Sequence, residues 1–232
     1  ILRDTVLFCD VHILHSYSSQ HTREIFRIGL PSAVQSMLFS GISMVIARLI
    51  AGWGDAAVAV QKVGSQIESI SWMTAEGYAA ALNSFVAQNH GAKNTDRIRE
   101  GYRLSMIVML SWGVFCSFVL IVFPQLIFQV FIQEAEVLPM GVDYLRILGV
   151  SQLFMCMEIT TAGAFSGLGK TLPPSIVSIT LTGARIPMAI LLGRWLGLNG
   201  VWWAITISSI GKGIVLLGWF LKDMKRAGMP ER

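Results

Sequence analysis

Six apolar stretches dominate the sequence, each long enough to cross the roughly 30 Å hydrocarbon core of a bilayer. They run from Pro31 to Ala51, Ala57 to Val86, Leu104 to Phe123, Val142 to Phe165, Leu172 to Gly193 and Leu198 to Leu221. In hydrocarbon no water satisfies the backbone, so each stretch closes its hydrogen bonds within itself. The fold class that follows is an all-α integral membrane bundle of six transmembrane helices. Composition agrees: 53% of the 232 residues are hydrophobic and 14% charged, and the mean hydropathy is +0.60. A solvated domain carries about a quarter of its residues as charges, so a soluble globular enzyme and a disordered chain are both excluded.

Pro31 reads as the first turn of the first span, Pro124 as the close of the third, and Pro173 and Pro174 as the opening of the fifth. Gly197 and Gly200 flank the shortest loop, a tight hairpin. Twelve of the basic residues fall in loops of one side, among them Arg23, Arg27, Lys93, Arg97, Lys170, Lys222 and Lys225, against four on the other, Arg48, Lys62, Arg146 and Arg194. Cytoplasmic loops carry the Lys/Arg excess, so both termini are expected in the cytoplasm, and the opposite face is acidic around Glu134, Glu136 and Asp143. Scattered in this way, the basic residues form no nucleic-acid patch despite a net charge of +4.

Catalytic and metal signatures do not emerge. Cys9, Cys116 and Cys156 have no metal-ligand spacing and read as packing residues. His12, His15, His21 and His90 lie in terminal or loop regions, and Gly167-Leu168-Gly169-Lys170-Thr171 lacks the frame of a phosphate-binding loop. No cofactor is expected.

Four charges stand inside the spans, where even a lenient insertion scale charges about 2.5 to 3.5 kcal/mol apiece at the helix centre. At about 1.5 Å per residue, Glu76 lies about 20 Å from Asn89 and Glu158 about 18 Å from Lys170. Arg185 lies about 20 Å from Leu172 and Lys212 about 15 Å from Lys222. All four share one level near the midplane, where they either neutralise one another as static partners or line an ion-binding cavity.

Helical periodicity gives two polar edges. Gln61, Ser65, Glu68, Trp72, Glu76 and Asn83 fall within an arc of about 80° on the second span, and Tyr144, Ser151, Met155, Glu158 and Thr161 within about 120° on the fourth. The two helices are expected to face a common cavity. Glu158 is the favoured binding carboxylate, because the polarizable Met155, Cys156 and Met157 flank it. Glu68 reads as solvated near the outer interface, and Arg48 as snorkelling there. Pro187 removes a helical hydrogen bond and should kink the fifth span beside Arg185. Gly163 to Gly167 and Gly77 to Ala81 have the small-residue spacing of close helix contacts.

The run Ala79-Ala80-Ala81-Leu82-Asn83-Ser84-Phe85 leading to Gln88-Asn89-His90-Gly91-Ala92 resembles the end of the eighth helix and following loop of the multidrug and toxic compound extrusion (MATE) antiporters. Gly29-Leu30-Pro31, Gly163 to Thr171, and Gly200-Val201-Trp202-Trp203 agree with that family in order, across Phe26 to Phe220. The resemblance implies one six-helix lobe, the C-terminal one, of a twelve-helix transporter. Residues 1 to about 25 would be the end of a cytoplasmic linker between lobes, 26–222 the lobe itself, and 223–232 a cytoplasmic tail.

It further implies a multi-pass protein of the plasma membrane that exports organic cations or drugs in exchange for sodium or protons by alternating access. The partners implied are the missing N-terminal lobe, an organic cation and the lipid bilayer. Family acids on the tenth and eighth helices correspond to Glu158, a possible sodium site, and to Glu68 and Glu76. The seventh-helix neighbourhood reads Met37-Leu38-Phe39-Ser40, without a carboxylate. Substrate and coupling ion are expected to compete at Glu158, with Glu76, Glu68, Asn83, Tyr144, Ser151 and Met155 as further binding residues and Arg185 and Lys212 as charge partners. The alternatives are a lipid-linked flippase of the same superfamily, with a more cationic cavity, and a truncated scaffold that transports nothing.

Overall fold

Apolar length sorts the helices before any packing is considered. In the computed structural model, which describes residues 19–226, four helical segments are long and apolar enough to cross a membrane: Gly29–Ala51, Thr95–Val122, Leu172–Leu196 and Leu198–Arg226. A bent pair, Leu138–Gly149 with Gln152–Gly167, makes a fifth. The described chain is helical throughout, as α1 (Ser19–Ala51), α2 (Asp55–Gly91), α3 (Thr95–Val122), α4 (Pro124–Gln129), α5 (Leu138–Gly149), α6 (Gln152–Gly167), α7 (Leu172–Gly183), α8 (Arg185–Leu196) and α9 (Leu198–Arg226). Of the expected linker, residues 1–18 lie outside the described residues and 19–25 are helical as the start of α1; of the expected tail, 223–226 continue α9 and the rest lies outside the described residues.

The second expected span is α2, and at 37 residues it has the length to cross but not the apolarity. Its polar edge is the reason, and its packing compensates. Ala57, Val60, Gly64, Ile67, Ser71, Ala75, Ala79, Leu82 and Val86 form one buried seam at three- and four-residue steps. Against it lies α6, at backbone contact: a Cβ on Gly163 would stand 2.7 Å from the Ala79 carbonyl oxygen, and one on Gly167 2.6 Å from that of Asn83. The second small-residue pair behaves otherwise. Gly77 and Ala81 are exposed, and Ala75 and Ala79 take the seam instead.

One expected span is sharply bent and another is interrupted without a sharp bend. The fourth divides into α5 and α6 with a 46° bend, and no proline causes it. At the break the Leu148 carbonyl accepts from the Ser151 amide (3.0 Å), the Ser151 hydroxyl (2.8 Å) and Gln152 Nε2 (3.4 Å), so the freed backbone oxygen is satisfied locally. The fifth divides into α7 and α8 at Ala184. Pro187, with no amide to offer the Gly183 carbonyl, is the expected cause. Pro31, by contrast, lies inside α1 rather than in its first turn.

The core has two main parts. Around Tyr144, Trp202, Leu145 and Val201, α5 and α9 pack with the start of α2. Around Phe165, Phe220, Tyr102 and Leu82, the ends of α6 and α9 pack with α2 and α3. Gly200 sits so close to the Leu192 carbonyl that any side chain there would collide with it, which explains the glycine of the α8–α9 hairpin. Much of α1 remains uncovered, with Met37, Phe39 and Met44 exposed.

Candidate functional site

The site begins with a close approach of two helices. Gly213 lets α9 lie against α6, where a Cβ would stand 2.5 Å from the Phe154 carbonyl oxygen. Its neighbour Lys212 thereby reaches across the seam, and Lys212 Nζ lies 2.9 Å from Glu158 Oε2 with the two side chains 8% and 13% exposed. Two charges taken out of water are tolerable only with such direct compensation.

Arg185 opens α8 at the break opposite Pro187. Its Nε donates to Ser208 Oγ at 2.8 Å and its Nη2 to Ser209 Oγ at 3.0 Å. The guanidinium also stands 6.0 Å from the centroid of the Phe39 ring on α1, within cation–π range. Glu158 and Glu68 both act on it electrostatically. Glu68 itself accepts from Gln152 Nε2 at 3.2 Å, and the Tyr144 hydroxyl stands beside it without closing hydrogen-bond geometry. The result is a balanced group: two carboxylates, Glu158 and Glu68, and two cations, Arg185 and Lys212.

Three of the four expected charges therefore come together, and one does not. Glu76 is exposed on the outer side of α2, while Glu68, expected to be solvated, is half-buried and takes its place. The seam explains the exchange. With Gln61 at zero and about 100° per residue, the buried seam of α2 centres near −60°, Glu68 falls near −20° and Glu76 near +60°. Glu76 thus points about 120° away from the packed side.

The remaining expected residues divide. Tyr144 is fully buried, edge-on to Trp202 with centroids 5.1 Å apart, and lies against Gly64. Ser151 is buried, but its hydroxyl is spent on Leu148, so it supports the helix break. Met155 is half-buried on α6. Asn83 is half-buried at the α2–α6 seam, about 22 Å along α2 from Glu68, and belongs to another level. Ser208, Ser209, Gln152 and Phe39 were not singled out from sequence. A hydroxyl pair one turn before Lys212 was the available signal for the first two.

The MatE family profile matches residues 31–191. "Probable multidrug resistance protein NorM" of Thermotoga maritima is 30% identical over 220 residues, covering 91% of this chain and 46% of that protein. Among solved structures, MATE in the straight conformation aligns with a TM-score of 0.83 at 22% identity, over 93% of this chain and 49% of that one. A MOP superfamily transporter from Pyrococcus furiosus, reported with a binding pocket of reverse polarity that suggests a different function, aligns with a TM-score of 0.82 at 21% identity, over 90% and 48%. The chain spans about half the length of the curated relatives it matches. It is a multi-pass membrane protein with the fold of one MATE lobe. With the profile covering well over half its residues, the chain belongs to the MatE family.

Proposed function

We propose that this chain is the C-terminal half of an exporter that moves organic cations, drugs among them, out of the cell in exchange for sodium ions or protons. The names of its relatives support the substrate class. The observation that carries the reading is the Lys212–Glu158 pair, shut away from solvent within the lobe. A buried carboxylate held by one ammonium is a seat for cations in general: an incoming cation has to displace Lys212, and a proton on Glu158 releases it. Substrate and coupling ion then exclude one another at one oxygen pair. Each favours a different facing state by its differential affinity, which is the requirement for coupled exchange.

Arg185 holds the second half of the arrangement. Anchored on Ser208 and Ser209, it adds a fixed positive charge to the group that holds Glu68 and Glu158, so the site presents net negative charge only when Lys212 swings away. In this reading both termini lie in the cytoplasm of a plasma-membrane protein, and the N-terminal six-helix lobe covers the open side of α1.

The test is efflux of a fluorescent organic cation from vesicles under imposed sodium or proton gradients, with this chain joined to its other lobe and Glu158→Gln alongside. Gradient-driven efflux that disappears in the variant is the expected result; undiminished efflux by the variant overturns the role of Glu158. One observation favours a second reading: half of the buried charges are cationic, and the Pyrococcus furiosus relative of like fold is reported with a reversed pocket polarity. Transport of a lipid-linked anion, with organic cations left unmoved, would select that flippase-like function.

A further inference from the structure

Gln152, the first residue of α6, is 1% exposed at the bend of an apolar span, and only one end of its amide is satisfied. Nε2 donates to Glu68 Oε1 at 3.2 Å and to the Leu148 carbonyl at 3.4 Å. Both neighbours are acceptors, so the nitrogen has to point this way; the reversed amide would set oxygen against oxygen. The amide oxygen is left buried with no donor, an exception among buried polar groups.

Glu68 approaches from α2, one turn after Gly64, on whose bare backbone the Tyr144 ring lies, and is half-buried. As a carboxylate it has no hydrogen to give. As a carboxylic acid it has one, and an acid and a primary amide are complementary: amide N–H to one carboxyl oxygen, carboxyl O–H to the amide oxygen. The first of these bonds is already made. Both end groups are planar and turn on broad terminal torsions, so the second closes without movement of α2 or α6. Few other charges surround Glu68. Between Arg27 and Arg48 α1 carries none, and between Arg103 and Val122 α3 carries none, the Cys116 thiol being the one titratable group there. From α5 comes Tyr144, while Asp143 and Arg146 are exposed. Glu158 of α6 and Lys212 of α9 engage each other, which leaves Arg185 of α8 as the cation acting on Glu68.

We propose, resting on the cation exchange proposed for this charge group, that Glu68 and Gln152 form an acid–amide pair that holds a coupling proton, with Gln152 as the positioning residue of this second site beside Glu158. A proton taken from water makes one O–H bond on Glu68 and one hydrogen bond to Gln152 Oε1. The Nε2 bond persists in both states, so the proton comes and goes reversibly. With Glu68 ionised, the group of Glu158, Glu68, Arg185 and Lys212 is balanced. A proton on Glu68 leaves it one charge positive, and an organic cation is then repelled. Proton and substrate exclude one another here without sharing an oxygen.

The test uses the full-length protein in detergent, infrared difference spectroscopy, and tetraphenylphosphonium as the cation. Lowering the pH should raise a carboxylic-acid C=O band that is missing from Glu68→Gln. In Gln152→Met the same band should stand at higher wavenumber, because the acid has lost both hydrogen bonds to the amide, a change that a purely structural role would not produce. Saturating tetraphenylphosphonium should bleach the band in the parent. A band indifferent to Glu68→Gln, or unmoved in Gln152→Met, overturns the pair. A band that answers to pH and to both variants but not to the cation supports the pair and overturns the exchange reading. Should a variant fail to fold, the parent with heavy carbon in its glutamine side-chain carbonyls decides: the pH step that raises the acid band has to shift one amide band, and amide bands that all stay in place overturn the pair.

Discussion

The Lys212 ammonium lies 2.9 Å from the Glu158 carboxylate with both side chains nearly closed to solvent, so the acid proposed to hold a transported cation already holds one of its own chain. Removing either charge alone strands the other. In soluble proteins that costs about 3 to 5 kcal/mol, whereas replacing both partners by apolar groups is often neutral. Glu158→Gln and Lys212→Met should each lower the thermal unfolding midpoint in detergent, and the double variant should recover most of the loss. A double variant as unstable as the sum of the two would show that the pair is not coupled. Efflux should be absent from Glu158→Gln and from the double variant alike, which separates the stability effect from the transport effect.

Much of this site was legible in the sequence, because a charge inside an apolar span has to be explained. Arg185, Lys212 and Glu158 were identified on that ground alone, and Pro187 gave the position of the break. The exchange of Glu76 for Glu68 was not legible. A helical wheel gives the angle between two side chains but not which sector neighbouring helices cover, and both acids lie on the same polar edge. The bend between α5 and α6 was also hidden, since no proline marks it; Ser151 and Gln152 secure it by capping the Leu148 carbonyl. That Gly163 and Gly167 make a close helix contact followed from spacing, though not that α2 is the partner, and the same spacing at Gly77 and Ala81 pointed to a face left exposed among the described residues.

The two acids of α2 should respond differently. Glu76 is exposed, so Glu76→Gln should change the stability of the lobe by no more than about 0.5 kcal/mol. Glu68→Gln retains a hydrogen-bond acceptor for Gln152 but removes one of the two negative charges facing Arg185. Thermal unfolding together with cation efflux checks the pair. Efflux impaired by the Glu68 change and spared by the Glu76 change is the expected outcome, and the reverse order would place the working carboxylate on the outer side of α2.

Arg185 spans two hydroxyls with two different nitrogens, a geometry that a lysine ammonium on its flexible stem does not reproduce. Arg185→Lys should therefore impair efflux despite keeping the charge. Ser208→Ala and Ser209→Ala should each reproduce part of that defect, and the double serine variant should approach the full effect. Efflux from Arg185→Lys equal to the unmodified protein would reduce the role of Arg185 to its charge.

Glycines of the two small-residue pairs offer a steric contrast within one fold. A Cβ at Gly163 would stand 2.7 Å from the Ala79 carbonyl oxygen and 2.9 Å from the Ala79 Cβ, whereas nothing lies within 4 Å of one at Gly77. Both are helix-interior positions, where alanine gains up to about 1 kcal/mol over glycine in helix propensity. At Gly77 that gain is unopposed, so Gly77→Ala should leave the unfolding midpoint unchanged or raised. At Gly163 the backbone contact with α2 has to open, and overpacking of this kind costs about 1 to 3 kcal/mol, so Gly163→Ala should lower the midpoint. Because α6 carries Glu158 and α2 carries Glu68, the same displacement should weaken the hold of the lobe on its charge group. A Gly163→Ala protein that melts and transports like the parent would mean that the two helices separate freely, and the close seam would then have no part in positioning the site.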